Sequence, residues 1–210
     1  MHAEWSVECA AEDAVLVVPW GSPSDPSGIS AFIDLRANPA AIDTIPEAEA
    51  HPPLMQALRA LNAARSPVFT AKCDAWEMSE DEMAQLRLDL GIATGFDDSE
   101  DQVNSVEVEP DALAFGFASY IDCICRDRAL FASFPRHEHL LRTLTRLAAR
   151  LDHPHASLEC VLRPAFVHLE APQQGYAISI YVKALGASPQ RAHAAWAAAL
   201  RDAVTLLRHN

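Results

Sequence analysis

Two histidine pairs are the first residues in this sequence whose types could do chemistry. The pairs His137 with His139 and His153 with His155 are each separated by one residue. Imidazole nitrogens bind zinc, but residues two apart on a helix do not face each other, and the H-E-x-x-H spacing is absent. A zinc site built by the turns around these pairs stays an alternative. We expect solvated histidines near helix ends, with no bound metal and no cofactor.

Five cysteines could supply thiolates, but their settings argue against it. Cys73, Cys123, Cys125 and Cys160 fall on strand faces that are otherwise apolar, where a free cysteine behaves as a small hydrophobic residue. A reactive thiolate needs a polar and partly open setting. We therefore predict cysteines that pack in a core. Irregular cysteine spacing and the absence of a signal-peptide pattern also indicate a reduced, cytoplasmic protein.

Charged and tyrosine side chains alternate with those apolar positions along the predicted strands. If the apolar sides meet helices, the alternate residues share the opposite face of the sheet. That predicted face carries Asp34, Arg36, Lys72, Asp74, Tyr120, Asp122, Arg126, Glu159, Arg163, Ser179, Tyr181 and Lys183. Paired carboxylates and arginines in an enclosed cleft bind polar ligands, whereas on an open sheet they pair across strands in water. The candidate ligand-binding residues are Asp34, Arg36, Tyr120, Asp122, Arg126, Glu159, Arg163, Tyr181 and Lys183.

The elements that must position these side chains follow from periodicity and from turn residues. Alternation predicts strands at residues 29–36, 67–76, 112–126, 157–169 and 176–185, and a continuous apolar run predicts a strand buried on both faces at 14–20. A tight turn is expected at 172–175. Helical spacing and capping patterns predict helices at 53–64, after Ser79, at 136–151 and after Ser188. In the strand at 67–76, we expect Phe69 on one side with Cys73, and Thr70 on the other with Lys72.

The order strand, helix, strand occurs in both halves of the chain. The segment Phe32-Ile-Asp-Leu35 resembles Tyr120-Ile-Asp-Cys123, and leucine-striped helices follow both. We predict an α+β protein with two β-α-β containing halves and a ferredoxin-like C-terminal half, its helices packed on one face of a mostly antiparallel sheet. An internal duplication is an open alternative. The acidic stretch 97–110 predicts a linker or loop between residues 1–96 and 111–210.

Charge and motifs narrow the classes of function. The net charge is -13, and residues 1–110 carry 5 basic and 21 acidic side chains, against 11 and 8 in residues 111–210. An acidic half repels nucleic acid, and no apolar run approaches the roughly 20 residues that span a bilayer. The catalytic Ser, phosphate-loop, zinc-protease and dinucleotide motifs are all missing.

These observations predict a cytoplasmic, non-catalytic binding or protein-interaction module rather than an enzyme. Its acidic half suits a protein partner with a basic surface, because opposite charge steers association. A homodimer is also possible as an alternative form of association. The alternative is a small-molecule-binding protein or enzyme, with a polar site on the sheet face between the two halves.

Overall fold

A mixed sheet of six strands forms the centre of the protein. The computed structural model describes residues 1–21, 32–92 and 113–209. The strands are β1 (His2–Val7), β2 (Leu16–Val18), β3 (Val68–Glu77), β4 (Phe115–Cys125), β5 (Ala156–Val167) and β6 (Gln173–Gly186). They lie in the order β1-β5-β6-β4-β3, and β2 pairs with the later part of β5. Strands β1 and β2 run parallel to β5, while the other neighbours are antiparallel. The prediction of an α+β protein is therefore confirmed.

Most of the helical residues cover one side of this sheet, which we call the helix face. The helices are a 3-10 helix (Pro39–Thr44), α1 (Pro46–Ala50), α2 (Pro52–Asn62), α3 (Glu80–Asp89), α4 (Arg128–Phe131), α5 (Phe134–Ala148) and α6 (Pro189–His209). Helices α2, α5 and α6 bury their apolar stripes on the helix face. Helix α3 instead packs Met83 and Leu86 against Ala118 on the opposite side. The prediction that helices pack on one face thus holds for the three longest helices and is wrong for α3.

The core on the helix face contains three of the four predicted cysteines, while Cys73 is partly exposed at its margin. Cys123, Cys125 and Cys160 are each at most 4% exposed, so the prediction of core cysteines is confirmed for them. Trp196 of α6 is fully buried there, and its indole N–H donates to the Ser119 hydroxyl at 2.8 Å. This bond satisfies two polar groups that would otherwise be buried without partners, which would cost about 1–3 kcal/mol each. It joins the last helix to β4.

The described part of the predicted strand at 29–36 is not a strand. Residues 32–34 have no regular structure and 35–37 form a turn, while 29–31 lie outside the described residues. The Asp34 carboxylate accepts the Arg36 backbone N–H at 3.0 Å, and the Asp34 carbonyl accepts the Asn38 N–H at 3.0 Å. Local bonds of this kind compete with strand pairing and turn the chain. The segment therefore has no structural likeness to residues 120–123, and the internal duplication stays a prediction.

Two other predictions need correction at the sheet's edge and turns. Strand β2 is not buried on both faces, because Val17 is 49% exposed while Val18 is fully buried. Residues 173–175 of the turn predicted at 172–175 are instead the start of β6. A side chain added at Gly175 would overlap the Phe131 carbonyl oxygen, so this glycine lets α4 lie directly on the strand.

The predicted linker at 97–110 lies outside the described residues. Strands from both sides of it nevertheless join the same sheet, since β3 pairs with β4 and β1 pairs with β5. The division into residues 1–96 and 111–210 stays a prediction. Among the helices in the described ranges, none has the length and apolar character needed to cross a membrane.

Candidate functional site

Six of the nine candidate residues share the sheet surface opposite α2, α5 and α6. Directly paired residues on neighbouring strands point to the same face, and Tyr120 pairs with Tyr181, which also pairs with Glu159. Residues of β3, β4, β5 and β6 that point to this side of the sheet in the same register form what we call the polar face. Its residues are Lys72, Asp74, Tyr120, Asp122, Glu159, Arg163, Ser179, Tyr181 and Lys183. The structure therefore places these residues on one face of the sheet, as the sequence predicted.

A row of aromatic rings crosses the polar face from β3 through β4 to β6 and ends beside Arg163 of β5. The Trp76 and Tyr120 ring centres are 6.3 Å apart, and those of Tyr120 and Tyr181 are 5.7 Å apart. The Arg163 guanidinium carbon lies 5.9 Å from the Tyr181 ring centre, and its Nη2 donates to the Tyr181 hydroxyl at 3.0 Å. Burial, together with nearby Asp122, raises the pKa of Tyr120 to about 12, so this phenol keeps its proton and can donate a hydrogen bond.

Ion pairs surround the aromatic row. Arg163 Nε lies 2.8 Å from a Glu8 carboxylate oxygen, and Lys183 Nζ lies 3.5 Å from Glu159. The four side chains are between 24% and 46% exposed. Pairs at this exposure contribute roughly 0–1 kcal/mol to stability because water screens them. Their charges are thus available to a partner at little cost to the fold.

Asp122 lies at the centre of the polar face and is only 4% exposed. The Ser179 hydroxyl donates to its Oδ1 at 2.5 Å. Burial raises the pKa of Asp122, and the Ser179 bond with the charges of Arg163 and Lys72 opposes part of that rise. A buried carboxyl with a raised pKa is a recognised feature of catalytic acids, but structural networks produce it as well.

The other three candidates, Asp34, Arg36 and Arg126, are not on the polar face, and their predicted placement is wrong. Arg126 follows the last residue of β4, and its side chain reaches the end of α2, where Nη2 donates to the carbonyls of Asn62 and Ala63. Asp34 and Arg36 belong to a turn, where Arg36 donates to both carboxylate oxygens of Asp34 at 2.9 and 2.8 Å. Its guanidinium carbon also lies 4.3 Å from the Phe69 ring centre. These three residues meet at one end of the sheet.

A β-bulge in β3 brings Phe69 to that end. The pairing register shifts between Thr70 and Lys72, so Phe69 pairs with Ile124 on the polar-face side, and Thr70 turns towards the helix face. The predicted sides of Phe69 and Thr70 are therefore wrong, whereas Lys72 lies on the predicted side. An extra residue in one strand reverses the alternation before it. The carbonyl of Ala71, at the bulge, accepts the Trp20 indole N–H at 2.7 Å.

A partly open pocket of about 200 Å³ lies at this end of the sheet, and we call it the end cavity. Its lining residues are Arg36, Phe69, Ile124, Cys125, Arg126, Arg128, Phe131, Val167, Leu169, Glu170 and Gln173. A second cavity of about 500 Å³ shares Arg36 and Arg126 with it and is otherwise lined mainly by apolar groups such as Ile42 and Leu58. The two arginines therefore stand between two cavities.

Arg126 is held in the cavity wall by the main chain. Its Nε donates to the Val68 carbonyl at 3.0 Å, and its Nη2 donates to the carbonyls of Asn62 and Ala63 at 3.1 and 3.5 Å. Burial and the neighbouring charge of Arg36 lower the pKa of Arg126, while Asp34 opposes this. Within the described residues, no carboxylate forms an ion pair with Arg126.

His137 is fully buried, so the expectation of a solvated histidine is wrong for this residue. Its Nε2 lies 3.5 Å from the Cys125 Sγ, and its Nδ1 lies 3.1 Å from the Ser133 carbonyl oxygen. Helical spacing could have predicted the burial of His137, since this residue extends the buried stripe of Leu141 and Leu144 by one turn. His153 instead pairs with Asp202 of α6 at 2.9 Å.

A second histidine cluster was missed by sequence reasoning. His51 and His193 pack against Phe117 and Trp196, with ring-centre distances between 4.6 and 6.2 Å. Burial, followed by the charge of His51, lowers the pKa of His193. Among the described residues, no three His, Cys, Asp or Glu side chains are grouped so that they could hold a metal ion.

Comparisons of this chain with protein-family models, with curated proteins and with solved structures found no match. The chemistry of the site is therefore what indicates a function, because fold class alone does not determine activity.

Proposed function

We propose that this protein is a non-catalytic binding module that engages a protein partner with a basic surface through its polar face. The observation that carries the proposal is the aromatic row formed by Trp76, Tyr120 and Tyr181, which ends on Arg163. Tryptophan, tyrosine and arginine are the residue types that dominate the energy of protein interfaces. All four side chains are partly exposed on this sheet, which makes them suited to anchor a partner.

The charge around the row supports a basic partner. Glu4, Glu8 and Asp74 reach the surface at its two ends, and the first 110 residues carry a large excess of acidic side chains. A partner of opposite charge would associate faster because the field steers it, and the association rate would fall as salt is added. Like charge would oppose binding of nucleic acid by this surface.

The alternative, a small-molecule or catalytic site on the polar face, is supported by the buried Asp122 and its Ser179 bond. A small-molecule site is usually a concave pocket with convergent polar groups. Neither Asp122 nor Arg163 is among the described residues that line the two cavities, whereas Arg126 lines both. This separation supports the interaction proposal over the alternative.

We also propose a ferredoxin-like arrangement for the second half of the chain. In residues 113–209, β4 is followed by the short α4 and then α5, β5, β6 and α6, with the strands arranged β5-β6-β4, which resembles a ferredoxin-like unit. In that description β3 would supply the fourth strand from the N-terminal side, next to β4. The likeness concerns topology and carries no function.

Two variants of the polar face test the interaction proposal. Tyr181→Ala removes the ring of the aromatic row that lies beside Arg163, and Asp74→Lys reverses an exposed charge beside the row. Partners are captured on immobilised wild-type protein, identified by mass spectrometry, purified and measured by surface plasmon resonance. Loss of a central anchor costs about 2 kcal/mol or more, so we expect Tyr181→Ala to raise Kd by roughly 30-fold. Asp74→Lys should mainly slow association.

Glu49→Lys is the matched control for Asp74→Lys, because Glu49 is an exposed acid on α1, away from the polar face. It should leave binding within about twofold of the wild type. Partners that bind both polar-face variants like the wild type, or whose association is indifferent to salt, would count against the proposal.

A further inference from the structure

We propose that the end cavity binds a small carboxylate that carries an apolar group, with Arg126 as the cation that meets the carboxylate. This site shares no residue with the polar face, although Phe69 and Ile124 lie on the same side of the sheet, and it does not depend on the proposed protein partner. The inference rests on the charge of the cavity, its lining and its size.

The charges at the end cavity do not balance. Arg36 is neutralised by the two-bond pair with Asp34, and Arg128 lies 3.4 Å from Glu170. Among the described residues, Arg126 donates hydrogen bonds only to main-chain carbonyls and forms no ion pair. A partly buried guanidinium beside a second guanidinium favours an anion, because an added negative charge relieves both the burial cost and the repulsion.

Arg126 and Arg36 have N–H groups left that could donate hydrogen bonds to that anion. In the described part of the chain, no hydrogen bond uses Nη1 of Arg126 or Nη1 of Arg36, although Nε and Nη2 of both are engaged. Each Nη1 carries two N–H groups. Bonds from Arg to carboxylate are among the stronger hydrogen bonds in proteins. The main-chain bonds of Arg126 hold its guanidinium in place before a ligand arrives, which lowers the entropic cost of binding.

The remaining wall of the cavity sets the class of ligand. Phe69, Ile124, Phe131, Val167 and Leu169 supply apolar surface, so a bare inorganic anion would leave that surface in contact with water. The volume of about 200 Å³ lies below the roughly 300–1,000 Å³ of sites for drug-sized ligands. The structure therefore points to a compact molecule with one carboxylate and one apolar group.

Benzoate and benzamide form a matched pair of probes with the same ring and different charge. Both are titrated into full-length protein with labelled Ile, Leu and Val methyl groups, and NMR shifts are followed. Ile124 and Val167 line only the end cavity, whereas Ile42 and Leu58 line only the second cavity. We expect benzoate to shift the Ile124 and Val167 methyls and to bind at least about tenfold more tightly than benzamide, as a charge-assisted bond predicts.

Two arginine variants complete the experiment. Arg126→Gln should weaken benzoate binding at least about tenfold and leave benzamide unchanged, and Arg126→Lys should recover part of the loss because it keeps the charge. If Arg126→Gln does not fold, the benzoate to benzamide ratio in the wild type decides the question. Arg208→Gln, an exposed site on α6 with the same charge change, is the control and should bind like the wild type.

Three results would overturn the proposal. The first is equal binding of benzoate and benzamide, and the second is a benzoate response confined to Ile42 and Leu58. The third is inorganic phosphate shifting the end-cavity methyls while benzoate does not, which would show a site for a bare anion without an apolar group.

Discussion

At the scale of single residues, burial sets the protonation states of Cys125 and His137. The Ser133 carbonyl can only accept a hydrogen bond, so the His137 Nδ1 beside it carries the proton and Nε2 is free to accept the Cys125 S–H. Burial raises the pKa of the Cys125 thiol to about 12 and lowers the pKa of His137. The pair is therefore neutral, and the thiol is protected from reaction.

The lowered pKa of His137 predicts a loss of stability in acid. As the pH falls below about 6.5, the unfolded chain takes up a proton on this side chain before the folded chain does. The stability that His137 contributes is complete above that pH and is lost as the pH falls towards the folded pKa. We expect His137→Gln to flatten the decline of the unfolding free energy between about pH 7.5 and 5.5, by at most about 1.4 kcal/mol per pH unit.

Urea unfolding at several pH values measures this slope. His139→Gln is the matched control, because His139 lies two residues away on α5 and is exposed. The control should keep the wild-type slope. An identical slope in His137→Gln would show that the residue stays charged or exposed in the folded protein.

At the scale of elements, the N-terminus of α3 is fixed by a network that the sequence predicted as a capping box. The Ser79 hydroxyl accepts the Glu82 N–H at 3.3 Å, and Glu82 accepts the Ser79 N–H at 2.8 Å and the Trp76 indole N–H at 3.1 Å. Hydrogen bonding from Ser79 lowers the pKa of Glu82. The network ties the helix to the aromatic row of the polar face.

Removal of this cap should cost stability locally. Ser79→Ala is expected to lower the unfolding free energy by about 1 kcal/mol, within the roughly 0.5–2 kcal/mol measured for lost caps. Ser6→Ala changes an exposed serine in β1 and should stay within about 0.5 kcal/mol of the wild type. Urea unfolding followed by tryptophan fluorescence measures both variants, and equal stability of the two would mean that the cap is not formed.

Elements with strong periodicity could be predicted, and those that depend on distant contacts could not. The alternation in β4 placed Tyr120 and Asp122 correctly because a strand has a fixed period of two. Nothing in the local pattern marks the bulge at Ala71, whose carbonyl is bonded by Trp20 from 51 residues away. The end cavity follows from that bulge and from the Asp34 turn, so it was not visible in the sequence.

At the scale of the whole molecule, strands from the acidic first half and from the second half pair within one sheet. The acidic first half contributes β1 and β2, which pair with β5, and β3, which pairs with β4. The first half therefore supplies strands at both edges of the sheet. Helix α2 also packs with α6 in one apolar core. The charge of a segment determines its solubility and its long-range attraction to other segments. It does not determine which strand edges pair.

This shared sheet predicts that residues 111–210 do not fold cooperatively alone. Without the first half, the outer edges of β4 and β5 lose their partners, and apolar residues of the helix face lose the cover of α2. Unpaired edges and exposed apolar surface favour aggregation over folding. We expect a fragment of residues 111–210 to show no cooperative thermal transition by circular dichroism, while the full chain shows one.

Adding residues 1–96 should restore the transition, less efficiently at high salt because opposite charges assist the encounter. A fragment that unfolds cooperatively by itself would instead establish the second half as an independent domain.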